Sequence, residues 1–134
     1  MQDGFEALGA KTLPFGPGET EAQLEAIQKL GVRVLVSAPS FAQKLGEAGA
    51  RVELLISSGE PLTSIAGRRG RVEAALGGVA LDAYASSEAG MMALETPEKN
   101  GLRVLEDWVY LEVVDPETGK PCPTANAVNW WSRT

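Results

Sequence analysis

Residues 81–90, Leu-Asp-Ala-Tyr-Ala-Ser-Ser-Glu-Ala-Gly, form the stretch from which both the fold and the site are predicted. The apolar residues 79–81 that lead into Asp82 indicate a short buried strand. Small residues follow Tyr84, and they allow the backbone to come close to a ligand. The stretch therefore predicts a strand end that holds a ligand.

The side chains of this stretch are those of a nucleotide-phosphate site. Tyr84 offers a flat aromatic face, and the hydroxyls of Ser86 and Ser87 can bond phosphate oxygens. Glu88 can hold a hard cation such as magnesium. The alternative is a strand followed by a turn of small residues, in which Tyr84 packs and Glu88 is solvated. On this stretch alone, both interpretations stay open.

The composition indicates one compact domain without a nucleic-acid partner. The chain has 134 residues and a net charge of −6, with acidic and basic residues interspersed. This balance argues against a large basic surface for nucleic acid. Arginines cluster only at Arg68, Arg69 and Arg71, and we interpret the cluster as a solvated helix face.

Residue types that are absent or rare exclude several kinds of chemistry. The chain has no histidine, which excludes Ser-His-Asp and Cys-His triads and the usual zinc sites. Cys122 is the single cysteine, so an internal disulfide is excluded and a reducing compartment is favoured. No apolar run approaches the roughly 20 residues of a membrane span, and the first residues lack a signal-peptide pattern. We therefore expect a cytoplasmic protein without a membrane partner.

Strands and helices are predicted to alternate over about residues 11–84. Thr20 and Gln23 form a capping box before one helix, which Gly31 ends. Pro39 opens the next helix and Thr63 the one after it. The predicted strands are residues 11–15, 32–36, 52–56 and 79–84, of which residues 32–36 are apolar enough to be covered on both faces. This rhythm predicts an α/β fold whose parallel sheet is built from β-α-β units.

Two turns of small residues follow neighbouring predicted strands. Residues 58–62 come after one strand, and residues 84–90 come after the next. Ligands of open α/β sheets bind outside the carboxyl ends of the strands. The two turns therefore predict a single site at one edge of the sheet.

The rhythm changes after Gly90, where we predict a short antiparallel segment over about residues 91–120. Its strands are expected at residues 91–95, 102–105 and 108–114, without helices between them. Asp-Pro-Glu-Thr-Gly-Lys at residues 115–120 predicts a tight turn. A hairpin partner is expected after this turn, but the sequence offers none.

Several motifs resemble those of phenylacetate-CoA ligases in their order and spacing. They are Gly-Pro-Gly-Glu-Thr at 16–20, Ala-Pro-Ser-Phe-Ala at 38–42, Ser-Gly-Glu-Pro at 58–61, Asp-Ala-Tyr-Ala-Ser-Ser-Glu at 82–88, Asn-Gly-Leu-Arg-Val at 100–104, Glu-Asp at 106–107 and Glu-Val-Val-Asp-Pro-Glu-Thr-Gly at 112–119. These ligases belong to the adenylate-forming superfamily, which activates a carboxylic acid with ATP and passes the acyl group to coenzyme A. The resemblance therefore implies ATP or AMP, magnesium, coenzyme A and a small carboxylic acid as cofactors and partners.

The resemblance also implies binding roles for particular residues, none of them catalytic. The turn that lies along the adenine and the acyl-adenylate corresponds to Ser58, Gly59, Glu60 and Pro61. The residues that flank the adenine correspond to Asp82 and Tyr84. The hydroxyl that contacts phosphate corresponds to Ser87, and the magnesium ligand to Glu88.

The match departs from the family in several places. Ala85 stands where many relatives have glycine, and residues 90–100 lack the cysteines of metal-binding relatives. The upstream phosphate loop, the ribose-binding aspartate and the C-terminal domain with its catalytic lysine have no counterpart. We interpret residues 1–120 as a partial, AMP-binding piece of the adenylating domain that is inactive alone. The alternative is a non-catalytic α/β module that binds nucleotide or interacts with a partner.

Residues 121–134 form an atypical tail. The run Asn-Ala-Val-Asn-Trp-Trp-Ser-Arg-Thr at 126–134 resembles nothing in the family. We hypothesise that the tail is read out of frame, because a shift of one base can restore the family's Leu-Val-Val; a natural variable terminus or a cloning scar is the alternative. A foreign tail is expected to use Trp130 and Trp131 to cover exposed apolar surface, including through a homodimer.

Overall fold

Helices and strands alternate along most of the chain, as predicted. The computed structural model describes residues 2–16 and 18–122, so the tail hypothesis falls on residues outside the described part. The helices are α1 (Gln2–Ala7), α2 (Thr20–Leu30), α3 (Pro39–Glu47) and α4 (Arg68–Leu76). The strands are β1 (Val34–Ser37), β2 (Leu54–Ser57), β3 (Val79–Ser86), β4 (Gly90–Glu95) and β5 (Leu102–Val104).

The strands form one mixed sheet in the order β1-β2-β3-β4-β5. The pairs β1–β2 and β2–β3 are parallel, whereas β3–β4 and β4–β5 are antiparallel. The predicted α/β fold, with a parallel part built from β-α-β units and a short antiparallel part, is therefore confirmed. Among the described residues, no helix is both long and apolar enough to cross a bilayer.

The hydrophobic core lies between the parallel strands and three helices. Ile27 of α2, Leu45 of α3 and Val72 of α4 pack in one cluster with Leu55 of β2 and Ala80 of β3. Burying a large aliphatic side chain of this kind stabilises a fold by roughly 1.5–3 kcal/mol. All three helices thus cover the same face of the sheet.

The other face of the parallel strands carries two aliphatic rows, which we call the open face. Because side chains alternate along a strand, the register places the rows opposite the core. They consist of Val34, Leu54 and Val79, and of Val36, Ile56 and Leu81. Val34 and Val36 are each 41% exposed and Val79 is 45% exposed. The expectation that β1 is covered on both faces is therefore wrong for the described residues.

The close packing of α3 on α4 depends on a glycine. A Cβ at Gly46 would lie only 2.6 Å from the backbone carbon of Ala75. The two helices therefore approach each other with backbone against backbone, near their C-terminal ends.

Two helix starts differ from the predictions. The prediction of a capping box at Thr20 and Gln23 is wrong. Thr20 is already helical, and the residue before it, Glu19, makes no side-chain cap. The third predicted helix begins at Arg68 and not at Thr63. Its delayed start has a tertiary cause, since Asp82 holds Thr63 outside the helix and Gly67 has a φ of +70°.

Two predicted strands are not formed. Residues 11–15 are irregular, and nothing among the described residues pairs with the free edge of β1. Residues 108–114 are also irregular apart from a bridge between Val114 and Pro121. A strand needs a pairing partner, which β propensity alone does not supply.

The turn after these residues is formed as predicted. Asp115 Oδ1 accepts hydrogen bonds from the backbone N–H groups of Glu117 and Thr118 at 2.8 and 2.9 Å. The backbone N–H of Cys122 donates to the carbonyl of Val113 at 2.7 Å, next to the Val114–Pro121 bridge. The chain after the turn is thus paired only through this bridge, and residues 121–122, the last that the structure describes, form no strand.

Candidate functional site

The two turns predicted to share a site follow neighbouring parallel strands. Ser57 is paired with Asp82 in the register of β2 and β3, so residues 58–62 and residues 87–89 leave the sheet at the same end. Thr63, just after the first turn, donates to Asp82 Oδ2 from its backbone N–H at 3.2 Å and from its hydroxyl at 2.9 Å. These bonds join the first turn to β3.

The turn after β2, residues 58–61, is held from several directions and is called the β2 turn below. Ser58 donates its backbone N–H to the carbonyl of Ser37 at 3.2 Å. Gly59 has a φ of +88°, a conformation that favours glycine. Glu60 Oε1 accepts a hydrogen bond from the Ser40 hydroxyl at 2.6 Å.

Arg68 holds the same turn from the start of α4. Its Nη2 lies 2.5 Å from Glu60 Oε2, and its Nη1 donates to the carbonyl of Pro61 at 2.9 Å. Glu60 is therefore bonded to both α3 and α4. The hydrogen bond from Ser40 and the charge of Arg68 lower the pKa of Glu60, although partial burial opposes them.

Asp82 uses its side chain within the protein. The residue is 7% exposed, and Oδ1 accepts the backbone N–H of Ala83 at 3.1 Å while Oδ2 accepts both donors of Thr63. A carboxylate that accepts several hydrogen bonds is stable in a buried position. The structure therefore places the predicted adenine-flanking Asp82 as a tie between β3 and the residues after the β2 turn.

A buried ion pair beside Asp82 was missed from the sequence. Glu95 of β4 is 3% exposed, and Arg69 Nη2 lies 2.7 Å from each of its carboxylate oxygens. Glu95 Oε2 also accepts the backbone N–H of Asp82 at 3.1 Å. The side chains of Arg68 and Arg69 are only 17% and 21% exposed, so the interpretation of these two arginines as a solvated helix face is wrong.

Strand β3 extends beyond β2 at the site. Its pairing with β2 ends at Asp82, whereas its pairing with β4 continues to Ser86. On the side of β2, residues 83–86 have no strand partner in the described part of the chain, and we call them the ledge. Tyr84 lies on the ledge and is 52% exposed. Backbone groups at such an edge are free to bond a planar ligand.

The residues that follow the ledge include the predicted phosphate and magnesium ligands. Ser86 accepts the backbone N–H of Ala89 at 3.0 Å and so closes the turn. Ser87 and Glu88 are exposed, and the described residues give neither side chain a hydrogen bond or an ion pair. Both side chains are therefore accessible to a ligand.

The donor set at Glu88 fits one kind of cation site only. Among the described residues, no group of three or more acidic, cysteine or histidine side chains could hold a metal by itself. Mg²⁺ is commonly bound through one or two carboxylates together with substrate phosphates. Glu88 fits such a shared site and does not fit a site built from protein alone.

A cavity of about 310 Å³ lies elsewhere, between the start of α4 and the β4–β5 connection. Thr63, Arg69, Glu95 and Lys99 are among its lining residues. None of the predicted nucleotide or magnesium ligands lines it. The cavity therefore contains no predicted ligand, although Thr63 and Glu95 in its lining both hydrogen-bond to Asp82.

Comparison with known proteins relates the chain to acid–CoA ligases. No family model matches the sequence. Phenylacetate-coenzyme A ligase of Thermus thermophilus is 33% identical over an alignment of 135 residues. The alignment covers 92% of this chain and 30% of the relative. The Escherichia coli enzyme of the same name is 32% identical over 133 residues, covering 88% and 30%. Over about nine tenths of its own length, the chain is similar to phenylacetate-CoA ligases. It spans about 30% of the length of these ligases.

Solved structures of a related ligase share the fold. 2-Hydroxyisobutyryl-CoA ligase in the postadenylation state, in complex with 2-HIB-AMP, superposes with a TM-score of 0.80 at 26% identity, covering 91% of this chain and 29% of that ligase. An open conformation of the same ligase, in complex with 2-HIB-AMP and CoA, gives a TM-score of 0.78 at 26% identity, covering 91% and 32%. The family resemblance identified from the sequence motifs is confirmed.

Proposed function

We propose that this chain provides part of the nucleotide site of an AMP-forming carboxylate–CoA ligase. The observation that carries the proposal is the joining of the two turns, through the Ser57–Asp82 register and the Thr63–Asp82 hydrogen bonds. This arrangement forms a cradle at the carboxyl edge of the sheet, where α/β folds bind their ligands. Residues 1–120 correspond, in this proposal, to part of the adenylating domain.

The adenine lies between the β2 turn and the ledge in this proposal. Ser58, Gly59, Glu60 and Pro61 form one wall, and Tyr84 offers its half-exposed ring as a stacking surface. The free backbone edge of the ledge supplies hydrogen bonds to the base. Asp82 flanks the adenine and keeps the two walls together through Thr63.

The phosphates lie beyond the ledge, next to Ser87 and Glu88. The Ser87 hydroxyl donates to a phosphate oxygen, and Glu88 supplies one carboxylate ligand to Mg²⁺. When bound, Mg²⁺ offsets the negative charge of the phosphates. The proposed role of these residues is to bind and orient the nucleotide, and we expect no turnover by the chain alone.

The reaction to which this site contributes is the activation of a carboxylic acid. The acid's carboxylate attacks the α-phosphorus of ATP, an acyl-adenylate forms and pyrophosphate leaves. Coenzyme A then takes the acyl group and AMP is released. The two turns support only the nucleotide-binding part of this reaction. For the acid, we propose no more than a small aryl or acyl acid.

Calorimetric titration with ATP and Mg²⁺ tests the proposal. Glu88→Ala is expected to weaken the affinity about tenfold, which corresponds to about 1.4 kcal/mol. Glu47→Ala is the matched control, since Glu47 is exposed at the last residue of α3, at the opposite end of that helix from Ser40, which contacts the β2 turn. An unchanged affinity in Glu88→Ala, or no binding of ATP by the natural chain, would contradict the proposal.

A second candidate function, a non-catalytic interaction module, is supported by the open face. An aliphatic surface of two rows favours contact with another apolar surface, and we propose a homodimer as its simplest form. Light scattering coupled to size exclusion tests the homodimer, and a monomer at high protein concentration would contradict it.

The single cysteine supports a reducing compartment, and we propose the cytoplasm.

A further inference from the structure

We infer that Arg68 is a positioning residue that sets the shape of the β2 turn for the nucleotide. The inference rests on the proposed function, because it assigns a consequence for nucleotide binding. It also predicts that Arg68 orders the β2 turn in the absence of any ligand, and this part can be tested by itself.

The first step is that Arg68 bonds two consecutive residues of the turn. Its Nη2 lies 2.5 Å from Glu60 Oε2, and its Nη1 donates to the carbonyl of Pro61 at 2.9 Å. The Arg68 side chain is only 17% exposed, and its bond to Glu60 is partly buried, whereas its bond to the Pro61 carbonyl is exposed. One guanidinium therefore fixes both a side chain and the backbone of the turn.

The second step is that Arg68 is itself held firmly. It is the first residue of α4, whose Val72 and Leu76 are buried in the core. Arg68 thereby connects the β2 turn to the core.

The third step is the opposing bond from α3. Ser40 donates to the other oxygen of Glu60 at 2.6 Å, so this carboxylate spans the starts of two helices. Those helices pack closely at Gly46 and Ala75. Glu60 therefore sits between two anchors whose separation the core fixes.

The fourth step is the chemical requirement for arginine. The planar guanidinium presents several donors in a fixed fork and can serve two acceptors together, whereas a lysine ammonium is a point charge on a flexible stem. Gly59 gives the turn a permissive backbone with no neighbouring atoms around its Cβ position. Without the two bonds from Arg68, the walls of the site would lose a defined shape.

Four variants test the inference: Arg68→Met, Arg68→Lys, Ser40→Ala and the control Arg71→Met. Arg71 lies on the same helix and is exposed. The measurements are amide hydrogen exchange at Ser58 and Thr63, AMP affinity by calorimetry and the midpoint of thermal unfolding.

Arg68→Met is expected to speed exchange at these two amides about tenfold and to weaken AMP binding by a similar factor. Arg68→Lys should restore part of both effects, because it keeps the charge but loses the fork. Ser40→Ala should act in the same direction as Arg68→Met, with a smaller effect. The control variant should leave exchange and affinity unchanged.

The outcomes test two statements separately: that Arg68 orders the β2 turn, and that this order matters for nucleotide binding. Unchanged exchange at Ser58 and Thr63 in Arg68→Met would overturn the inference, with or without nucleotide binding. Faster exchange together with an unchanged AMP affinity would overturn the positioning role. A natural chain that binds no AMP would overturn the proposed function, while the exchange rates would still decide whether Arg68 orders the turn.

Discussion

Arg69 Nη2 lies 2.7 Å from both carboxylate oxygens of Glu95, whose side chain is 2% exposed. This pair connects the start of α4 to β4, and Glu95 also accepts the backbone N–H of Asp82. A buried carboxylate is stable only when it is paired and hydrogen-bonded. The integrity of the sheet edge therefore depends on a charge pair located outside the predicted ligand contacts.

Arg69→Met is expected to lower the free energy of unfolding by about 3 kcal/mol, because it leaves the Glu95 carboxylate buried without a counter-ion. Urea denaturation at neutral pH measures the change. Adding Glu95→Gln should recover part of the loss, since glutamine is neutral and still accepts the Asp82 N–H. A double variant no more stable than Arg69→Met would contradict this explanation.

Asp82→Ala is expected to destabilise the fold by about 2 kcal/mol, because it leaves the buried N–H of Ala83 and the partly buried donors of Thr63 without their acceptor. Thr63→Val removes only the hydroxyl donor and should cost about 1 kcal/mol. The double variant should resemble Asp82→Ala, since both changes act through one contact. Ser64→Ala, at an exposed neighbour, is the control, and strictly additive losses would argue against the shared contact.

The stability that Glu60 contributes should depend on pH in a defined direction. The hydrogen bond from Ser40 lowers the pKa of Glu60, with the Arg68 charge acting in the same direction. A carboxylate with a lowered pKa stabilises the fold above its ordinary value of 4.5, and this contribution is lost as the pH falls through the lowered pKa.

Ser40→Ala is therefore expected to raise the pKa of Glu60, as measured by NMR titration of its side-chain carboxyl carbon. It should also be less stable than the natural chain at pH 7, with a difference that shrinks below pH 4.5. A stability difference that is the same across this range would contradict the assignment to Glu60.

Two glycines of the paired helices should respond to alanine in opposite directions. At Gly46 a Cβ would lie 2.6 Å from the Ala75 backbone, so Gly46→Ala is expected to destabilise the fold by about 1–3 kcal/mol. At Gly70, inside α4, a Cβ meets no atom within 4 Å, so Gly70→Ala should stabilise by about 1 kcal/mol. Thermal unfolding of both variants measures the contrast. Equal shifts would rule out the close approach of α3 and α4.

Local sequence patterns correctly predicted those helices and strands that are determined by residues within or next to the element itself. Pro39 marks the first turn of α3, and Gly31, with a φ of +64°, ends α2 where predicted. The alternation of apolar strands with these helices was sufficient for the order and direction of β1, β2 and β3.

Features that depend on distant contacts could not be predicted in this way. The start of α4 is set by Asp82, which lies 19 residues after its partner Thr63. The burial of Arg69 depends on Glu95, which lies 26 residues farther along the chain. Residues 108–114 have strand propensity, but a strand forms only where another strand pairs with it.

The same contrast between local patterns and distant contacts applies to the candidate site. The motif resemblance selected residues 58–61 and residues 82–88, and the sheet register joins their strands at Ser57 and Asp82. Ser40 lies in the motif at residues 38–42, but the motif predicted no role for it, and Arg68 lies in none of the motifs. Their roles depend on hydrogen bonds from the starts of α3 and α4 to the β2 turn, which form only in the folded chain.

The extension of β3 beyond β2 has a spectroscopic consequence. Residues 83–86 keep one side paired with β4 and leave the opposite side without a neighbouring strand in the described part of the chain. A flat molecule that docks edge-on there would shift the amide resonances of these residues before it disturbed any others. The amides of residues 83–86 would therefore report occupancy of the site without any measurement of catalysis.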